Sequence, residues 1–253
     1  MFNLFQKKLT NLIEKKLITM KTLDHSYHQN FEYRHQNPYH DKLGEYSDFV
    51  FRDTEGESLR NKWSNEFFKN ENPINVEVGC GYGHFMSEYC KHHPYENFVG
   101  IDYRFKRSFA LAKKLSLLES KNFCLMRAKG ERIQFLFGES EIDRLFYFFP
   151  DPWPKTKHHK KRLFQAPFLD QAYQILKPGG ELLIKTDHDD YADWMSEVIK
   201  ESNKDRFEVI LETKNLHKEQ PEHFLSVHKT KFEGIFLRQG IKIKAFVLKS
   251  KKV

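Results

Sequence analysis

The alternation of short apolar runs with amphipathic segments over residues 74–248 constrains the fold more than any other feature of the sequence. Such alternation is typical of a doubly wound α/β sheet, in which helices connect mostly parallel strands and cover both faces. Strands are predicted at Ile74–Val78, Phe98–Ile101, Phe123–Met126, Leu145–Phe149, Glu181–Thr186, Phe207–Leu211 and Ile241–Leu248. Helices are predicted at His84–His92, Phe105–Glu119, Leu163–Leu176 and Tyr191–Glu201, and Lys177-Pro178-Gly179-Gly180 is predicted to turn the chain into the fifth strand.

The first 73 residues lack this alternation. Apolar residues over 4–17 recur at helical spacing with lysines between them, which predicts a basic amphipathic helix that docks on the domain or touches a membrane surface or RNA. Residues 21–57 show little periodicity, and an extended, partly ordered arm is predicted there. Leu59, Trp63 and Phe67 lie at four-residue steps, so Ser58–Lys69 is predicted to be helical.

The charge balance favours an anionic partner. The sequence carries a formal net charge of +7, a pI near 9.1 and a mean hydropathy of −0.71. Charge alone does not distinguish RNA, DNA and lipid headgroups. The three cysteines have no paired spacing, which argues against a disulfide framework and for a reducing compartment. Without an apolar run of about 20 residues or a secretion signal, the sequence predicts a soluble, cytoplasmic protein with no membrane partner.

A glycine-rich turn joins the first predicted strand to the first predicted helix, in the segment Val76-Glu77-Val78-Gly79-Cys80-Gly81-Tyr82-Gly83. Glycines such as Gly79 and Gly81 allow the backbone to bend sharply and let a ligand approach without a Cβ in the way. After the second strand, Asp102 lies 19 residues beyond Gly83. This spacing is close to the ~20-residue offset at which an acidic side chain binds a ribose diol, so the pattern predicts an adenosine cofactor.

Two residues indicate which adenosine cofactor is bound. His84 occupies the position of the third glycine of a dinucleotide fingerprint. Glu77 would bring a carboxylate towards a pyrophosphate, whereas it would attract the ammonium or sulfonium group of S-adenosylmethionine. The sequence therefore favours S-adenosylmethionine over a dinucleotide.

A proline-rich segment, Phe148-Phe149-Pro150-Asp151-Pro152-Trp153-Pro154, follows the fourth predicted strand. Its prolines restrict the backbone, so the segment is predicted to be a stiff loop at the edge of the sheet where ligands bind. Asp151 is therefore a candidate catalytic residue, and a simple turn that leaves the sheet is the alternative. Trp153 could stack on a base or pack beneath the loop.

A basic run follows directly. Its side chains suit phosphate groups, although a solvated charged surface has a similar composition. The predicted RNA-contacting patch consists of Lys157, His158, Lys160, Lys161 and Arg162. The pair His158 and His159 has no third ligand at a suitable spacing, so no metal site is predicted. Asp187, which follows the fifth strand, could contact a substrate or cap the next helix.

Taken together, these motifs closely resemble the tRNA (guanine-N7)-methyltransferases of the bacterial TrmB family. The resemblance covers about residues 49–248 and is carried by Val76–Gly83, Gly100–Asp102, Phe149–Lys155, His158–Arg162, Lys177–Gly180, Thr186-Asp187 with Tyr191–Trp194, and Thr230–Glu233. It implies a class I methyltransferase fold (Rossmann-like, with a seven-stranded, mostly parallel sheet), S-adenosylmethionine as methyl donor and a guanine in the variable loop of tRNA as acceptor.

The resemblance also implies roles for individual residues. Glu77, Asp102 and Asp151 line the cofactor together with the turn glycines Gly79 and Gly81, and Asp151 is the catalytic residue. Substrate contacts are implied for Lys155, Asp187, Thr230, Lys231, Phe232 and Glu233. The family usually carries an Asp-Ala pair where this chain reads Ala128-Lys129, so no cofactor contact is assigned to Lys129.

Several alternatives remain open from the sequence. The domains are predicted as an N-terminal extension over residues 1–48 and a methyltransferase domain over 49–253, and the protein is a monomer or a homodimer. The Asp-Pro-Trp segment loosely resembles the Asp-Pro-Pro-aromatic loops of amino-group methyltransferases, so adenine or a protein is an alternative acceptor. A non-catalytic RNA-binding module on the same fold is a third hypothesis.

Overall fold

The computed structural model describes residues 25–253, so the helix predicted over residues 4–17 lies outside the described part of the chain. The chain divides into two compact units, with the boundary between Arg34 and His35. In the first unit a 3-10 turn forms at His25–Tyr27, and the rings of Phe31 and Tyr33 meet edge to face at 4.8 Å. The predicted domain boundary after residue 48 stays a prediction.

The second unit is built on one sheet of eight strands: β1 Val50–Arg52, β2 Ile74–Val78, β3 Asn97–Ile101, β4 Phe123–Arg127, β5 Ile142–Phe148, β6 Leu176–Thr186, β7 Phe207–Thr213 and β8 Lys244–Ser250. The spatial order is β1-β4-β3-β2-β5-β6-β8-β7. The pairs from β1 to β6 are parallel, and β8 runs antiparallel to both β6 and β7. The predicted α/β class with a mostly parallel sheet is confirmed, although the sheet has eight strands instead of the predicted seven because β1 was not predicted.

The α-helices are α1 Pro38–Leu43, α2 His84–His92, α3 Phe105–Leu115, α4 Ile133–Leu136, α5 Ala166–Ile175, α6 Asp189–Ser202, α7 Leu216–Glu219, α8 Phe224–Val227 and α9 Lys231–Arg238. Further 3-10 segments form at Gly44–Tyr46, Glu55–Leu59, Gly130–Arg132 and Thr156–Lys161, and a π-helix forms at Trp63–Phe68. Over residues 25–253, no helix combines the length and the apolar character needed to cross a membrane.

Two apolar cores lie on opposite faces of the sheet. Along β5, Leu145 and Tyr147 belong to one buried cluster, whereas Phe146 and Phe148 belong to the other. Successive side chains of a strand point to opposite faces, so each cluster fills the space between one face and its helices. Burial on both faces explains why these strands are near-continuous apolar runs in the sequence.

The structure differs from the sequence prediction in two regions. Residues 35–57, part of the segment predicted to be an extended, partly ordered arm, contain α1 and the edge strand β1, which pairs Val50 with Leu125 of β4. The predicted helix Ser58–Lys69 is instead a 3-10 segment and a π-helix, separated at Asn61 by a left-handed backbone with φ 64°. β1 was not predicted because its three residues are too few to show a period of two, and because the strand with which it pairs is about 75 residues away in the sequence.

The second region is the C-terminal part. Residues 177–180, predicted to be a turn, lie within β6, and the ladder to β5 is irregular between Ile142 and Arg144. The three helices α7, α8 and α9 occupy the stretch between β7 and β8, where none was predicted. Two of these helices have only four residues, which is too short for a helical period to be recognised.

The topology brings the predicted site segments together. β2 lies between β3 and β5, where the order of the strands reverses. In open α/β sheets, ligands bind beyond the carboxyl ends of the strands at such a point. The glycine-rich turn follows β2 and the proline-rich loop follows β5, so both leave the same edge of the sheet on adjacent strands.

Candidate active site

The glycine-rich turn has backbone conformations that side chains disfavour. Gly79 has a φ of 85°, and a Cβ built there meets no heavy atom within 4 Å, so open space lies beside the turn. Gly83 has a φ of 62°, and its Cβ would lie 2.1 Å from Cδ1 of Leu111. The first position therefore leaves room for a ligand, and the second allows α2 to pack against α3.

Asp102 closes this turn from the end of β3. Its Oδ2 accepts a hydrogen bond from the Gly81 N–H at 2.9 Å, and its Oδ1 accepts one from the Arg104 N–H at 2.7 Å. Burial raises the pKa of Asp102, while these two backbone N–H groups act in the opposite direction. Each carboxylate oxygen keeps a lone pair, so the side chain that shapes the turn can also accept hydrogen bonds from a diol.

Glu77 lies on β2 between Gly100 of β3 and Phe146 of β5. Its side chain is 5% exposed, and within the described chain Oε2 has no hydrogen-bond partner. Burial raises the pKa of Glu77 to about 8, which the positive charge of Lys185 counteracts and the negative charge of Asp102 reinforces. A buried carboxylate without a partner is costly, so this position favours a positively charged ligand.

The proline-rich loop carries Asp151 into solvent on a strained backbone. Phe149 and Trp153 have φ values of 49° and 44°, in the left-handed region that non-glycine residues rarely occupy. Such conformations cost about 1–3 kcal/mol each and persist where the surroundings hold them. The Phe149 N–H donates to the Lys185 carbonyl at 2.8 Å, and Arg162 Nε donates to the Pro152 carbonyl at 2.8 Å. Anchors on both sides therefore set the direction of the exposed Asp151.

Tyr191 lies below this loop. Its hydroxyl is 3.1 Å from the Tyr147 hydroxyl, and the guanidinium of Arg162 lies 4.9 Å from the centre of its ring. Burial raises the pKa of Tyr191 to about 12, and the negative charge of Asp151 adds to that shift. The Asp151 carboxylate is therefore close enough for its charge to act on the floor of the site.

Trp153 is half-buried between two basic side chains. Lys161 Nζ lies 4.6 Å from the centre of the indole ring, and His158 meets it edge to face at 5.7 Å. The indole thus packs beneath the 3-10 segment Thr156–Lys161. Of the two roles predicted for this residue, these contacts support packing beneath the loop.

The predicted basic patch divides into a surface part and a buried part. The lysines of this run are exposed: Lys155, Lys157, Lys160 and Lys161. His158 and His159 are half-buried. Arg162, in contrast, is 2% exposed, and its guanidinium packs against Tyr191 and Trp194. Desolvation lowers the pKa of Arg162. The prediction that Arg162 contacts RNA is therefore wrong, because this side chain is buried and supports the Asp151 loop from inside.

Asp187 leaves the sheet on the strand adjacent to the Asp151 loop, because β6 pairs Lys185 with Phe148. The alternative that Asp187 caps the next helix is wrong. His188 is the N-cap of α6, and no side chain bonds to the first turn there. The half-buried Asp187 carboxylate forms no hydrogen bond or ion pair with other described residues, so it remains available to a ligand.

The Thr230–Glu233 segment begins a helix instead of lying in a loop. Thr230 is the N-cap of α9: its hydroxyl accepts from the Glu233 N–H at 3.1 Å, and Glu233 Oε2 accepts from the Thr230 N–H at 3.0 Å. Glu233 is fully buried, whereas Lys231 and Phe232 are exposed. The four residues predicted to contact the substrate thus separate into a supporting pair and a surface pair.

Lys185 connects these segments and was missed by sequence analysis. Its fully buried ammonium donates to Glu233 Oε2 at 2.5 Å, to the His228 carbonyl at 2.9 Å and to the Leu225 carbonyl at 3.2 Å. The opposite oxygen of Glu233 pairs with His217 Nε2 at 2.8 Å. The signal was a lysine at the end of the apolar run Leu182-Leu183-Ile184, because a charge in a buried strand requires a partner.

The sequence profile of the family described as "Putative methyltransferase" matches residues 71–246. A bifunctional glycosyltransferase/methyltransferase of Fusobacterium nucleatum is 34% identical over 91% of this chain, which spans only 34% of that protein. A tRNA (guanine-N(7)-)-methyltransferase of Bdellovibrio bacteriovorus is 32% identical over 79% of this chain and 94% of its own length. The enzyme of that name from Enterococcus faecalis is 41% identical over 52% of this chain and 61% of its own.

The solved structures agree with this result at the level of the fold. The 16S rRNA methyltransferase KamB matches 78% of this chain and 93% of its own length, with a TM-score of 0.54 and 16% identity. At that identity the likeness shows a shared methyltransferase fold and nothing about the substrate.

Proposed function

This chain belongs to the tRNA (guanine-N(7)-)-methyltransferase family, and on that premise we propose that it transfers a methyl group from S-adenosylmethionine to N7 of a guanine in the variable loop of tRNA. The observation that carries the proposal is the carboxylate of Glu77, which is buried without a hydrogen-bond partner in the described chain beside an open glycine turn. A cationic methyl donor is the ligand that such a position stabilises.

The residues present fit this donor. S-adenosylmethionine supplies an electrophilic methyl group on a positively charged sulfur. Glu77 would balance the positive charge, and Asp102 would accept hydrogen bonds from the ribose hydroxyls with its remaining lone pairs. The space beside Gly79 and Gly81 would admit the donor close to the backbone.

On the acceptor side, guanine N7 already has an in-plane lone pair and needs no general base. The site must hold N7 in line with the methyl group, a positioning effect worth up to ~7–11 kcal/mol in favourable cases. Asp151 and Asp187, which leave adjacent strands, would accept hydrogen bonds from guanine N1–H and N2–H₂. Their negative charges would also stabilise the positive charge that develops on the purine ring.

The exposed basic side chains around Lys155 would contact tRNA phosphates, and the exposed Lys231 and Phe232 would add further contacts to the tRNA. Phe232 is 54% exposed, which leaves its ring free to stack on a nucleobase. Thr230 and Glu233 would act by holding this surface in place, since their polar groups are already bonded within α9 and to Lys185.

Mass spectrometry of digested tRNA tests the proposal. Unmodified tRNA transcripts incubated with the protein and S-adenosylmethionine should acquire 7-methylguanosine. A transcript that contains 7-deazaguanosine, which lacks N7, should acquire no methyl group. Methylated adenosine, or methyl transfer to the 7-deaza transcript, would contradict guanine N7 as the acceptor.

A further inference from the structure

A second constellation of ligating side chains lies outside the candidate active site, where His35 and His40 converge on Asp53. The distances to Asp53 Oδ2 are 2.7 Å from His35 Nε2 and 3.0 Å from His40 Nε2. All three ligand atoms lie within 4.8 Å of one another, and the three side chains are 18%, 24% and 15% exposed. We propose that this cluster binds one divalent metal ion of the zinc class.

The spacing of the ligand atoms suits a tetrahedral ion. Two ligand atoms that each lie about 2.0–2.1 Å from zinc are about 3.3 Å apart at a tetrahedral angle. The observed separations of 2.7 and 3.0 Å would need to widen by about 0.6 and 0.3 Å, respectively. Two imidazole nitrogens and one carboxylate oxygen are a ligand set that zinc commonly uses, with a fourth position open.

Zinc binding would require both imidazoles to change tautomer, and it involves no change of oxidation state. In the hydrogen-bonded form, both Nε2–H groups donate to the same carboxylate oxygen. The ion would replace these two donors, with the proton of each neutral imidazole carried on Nδ1 and the Nε2 lone pair directed at the metal. For His40, Nδ1 lies 3.6 Å from Asp41 Oδ1, so the proton on Nδ1 would lie near a carboxylate but beyond hydrogen-bond distance from it.

Asp53 is held with Oδ2 towards the histidines. The buried Arg127 forms an ion pair with Oδ1, and its guanidinium lies 3.7 Å from the centre of the Phe105 ring. The Asp53 N–H donates to the Arg127 carbonyl at 2.8 Å, in a left-handed conformation with φ 57°. Arg127 also compensates the charge of the Asp53 carboxylate, so the imidazoles would supply much of the attraction for the ion.

A cavity gives the ion access. It is lined by His35, Gln36, Asn37, Pro38, His40 and Asp41, so it opens beside both imidazoles and leaves room for a water as fourth ligand. A bound ion would tie α1 to the end of β1. The three ligands are spread over 18 residues without a recognisable zinc spacing, which explains why the sequence predicted no metal site.

Calorimetric titration of zinc into the full-length protein, stripped of metal by a chelator, tests this site. We expect one equivalent to bind and thermal unfolding to shift upward with zinc concentration. In the His35→Gln/His40→Gln variant, each amide can still donate to Asp53 but binds zinc poorly, so affinity should fall at least tenfold while the metal-free melting temperature changes little. The matched control is His158→Gln/His159→Gln, which should bind as the wild type does.

A second readout covers the case in which the double variant does not fold. Cobalt(II) should give the wild type the visible absorption of a tetrahedral complex, and Asp53→Asn should lose it. Failure of the wild type to bind zinc stoichiometrically, or equal affinity in the His35→Gln/His40→Gln variant, would overturn the proposal. Because methyl transfer is not measured, neither outcome bears on the proposed activity.

Discussion

Two segments of the candidate active site, the Asp151 loop and the start of α9, are held in opposite ways. Asp151 is exposed on a backbone with two left-handed residues, and it makes no hydrogen bond to other described residues. Glu233 is fully buried and binds Lys185, His217 and its own helix cap. One carboxylate is free for a ligand, whereas the other is committed to the fold.

This difference teaches that family motifs combine two kinds of residue. An exposed carboxylate can contact a substrate, and its loss costs the fold little. A buried carboxylate in an ion pair can be equally necessary for activity because it positions its neighbours. The following predictions separate the two, beginning with the largest expected effect.

Breaking the buried pair should have the largest effect. Glu233→Gln removes the ion-pair partner of the Lys185 ammonium, and we expect a loss of about 3–5 kcal/mol in the free energy of unfolding, measured by urea denaturation. In Lys185→Met/Glu233→Gln no uncompensated charge remains, so much of the loss should be recovered. If Glu233→Gln lowered the free energy of unfolding by less than about 1 kcal/mol, Glu233 would not be a structural residue in the sense that distinguishes it from Asp151.

Asp151→Ala should behave in the opposite way. We expect turnover to fall by about a hundredfold to a thousandfold, since the carboxylate no longer stabilises charge on the purine. The free energy of unfolding should change by less than about 0.5 kcal/mol, because the side chain is exposed. Asp48→Ala, at another exposed aspartate, is the control and should keep full turnover. Turnover of Asp151→Ala near the wild-type rate would remove this residue from the mechanism.

Glu77 combines burial with ligand binding and should therefore respond to pH. Its folded pKa of about 8 lies above the ordinary value of 4.5, so between these values the folded carboxyl keeps its proton while the unfolded one releases it. The free energy of unfolding therefore falls as the pH rises from about 4.5 to 8. Glu77→Gln should then be more stable than the wild type above pH 8 and nearly equal below pH 4.5. Thermal melting across this range measures the difference.

Ionisation of Glu77 should also control the affinity of the protein for S-adenosylmethionine. A cation binds the charged form of Glu77, so affinity for S-adenosylmethionine should rise by up to about tenfold per pH unit below pH 8 and then level off. In Glu77→Gln the affinity should be low and independent of pH. Calorimetric titration of the wild type that shows no pH dependence would mean that Glu77 does not face the donor's charge.

The helix cap should have a smaller effect. Thr230→Val removes the hydroxyl that accepts from the Glu233 N–H, which should cost about 1 kcal/mol of stability. Thr230→Ser keeps the hydroxyl and should resemble the wild type. If Thr230→Val lowered kcat/KM by a hundredfold while melting nearly normally, Thr230 would contact the substrate instead of supporting it.

The smallest expected changes concern salt dependence. Replacing Lys157, Lys160 and Lys161 by Ala should reduce the slope of log affinity for tRNA against log salt by about 0.7–0.9 per lost phosphate contact, with little change in melting temperature. Arg162→Met should lower the melting temperature and leave the salt slope unchanged, since Arg162 is buried. Identical slopes for the wild type and the triple variant would show that these lysines do not contact tRNA phosphates.

Much of the fold was predictable because the central strands and helices carry strong local signals. β2 and α2 have the predicted boundaries, since a strand with apolar residues at alternate positions leads through glycines into a periodic helix. β1 could not be predicted, because its three residues form a strand only beside β4. The helix at Thr230–Glu233 was missed because its polar composition resembles a loop until Glu233 is paired with Lys185.

The sequence by itself determined the sheet, the glycine turn and the order in which acidic residues follow the strands, because spacing along the chain encodes these features. Only the tertiary structure decided which charged side chains face solvent. Arg162 and Lys160 belong to one basic run, yet one supports the Asp151 loop from inside and the other is exposed. The physical reason is that burial and ion pairing depend on segments far apart in the chain, as Lys185 and Glu233 are, and their partners become neighbours only after folding.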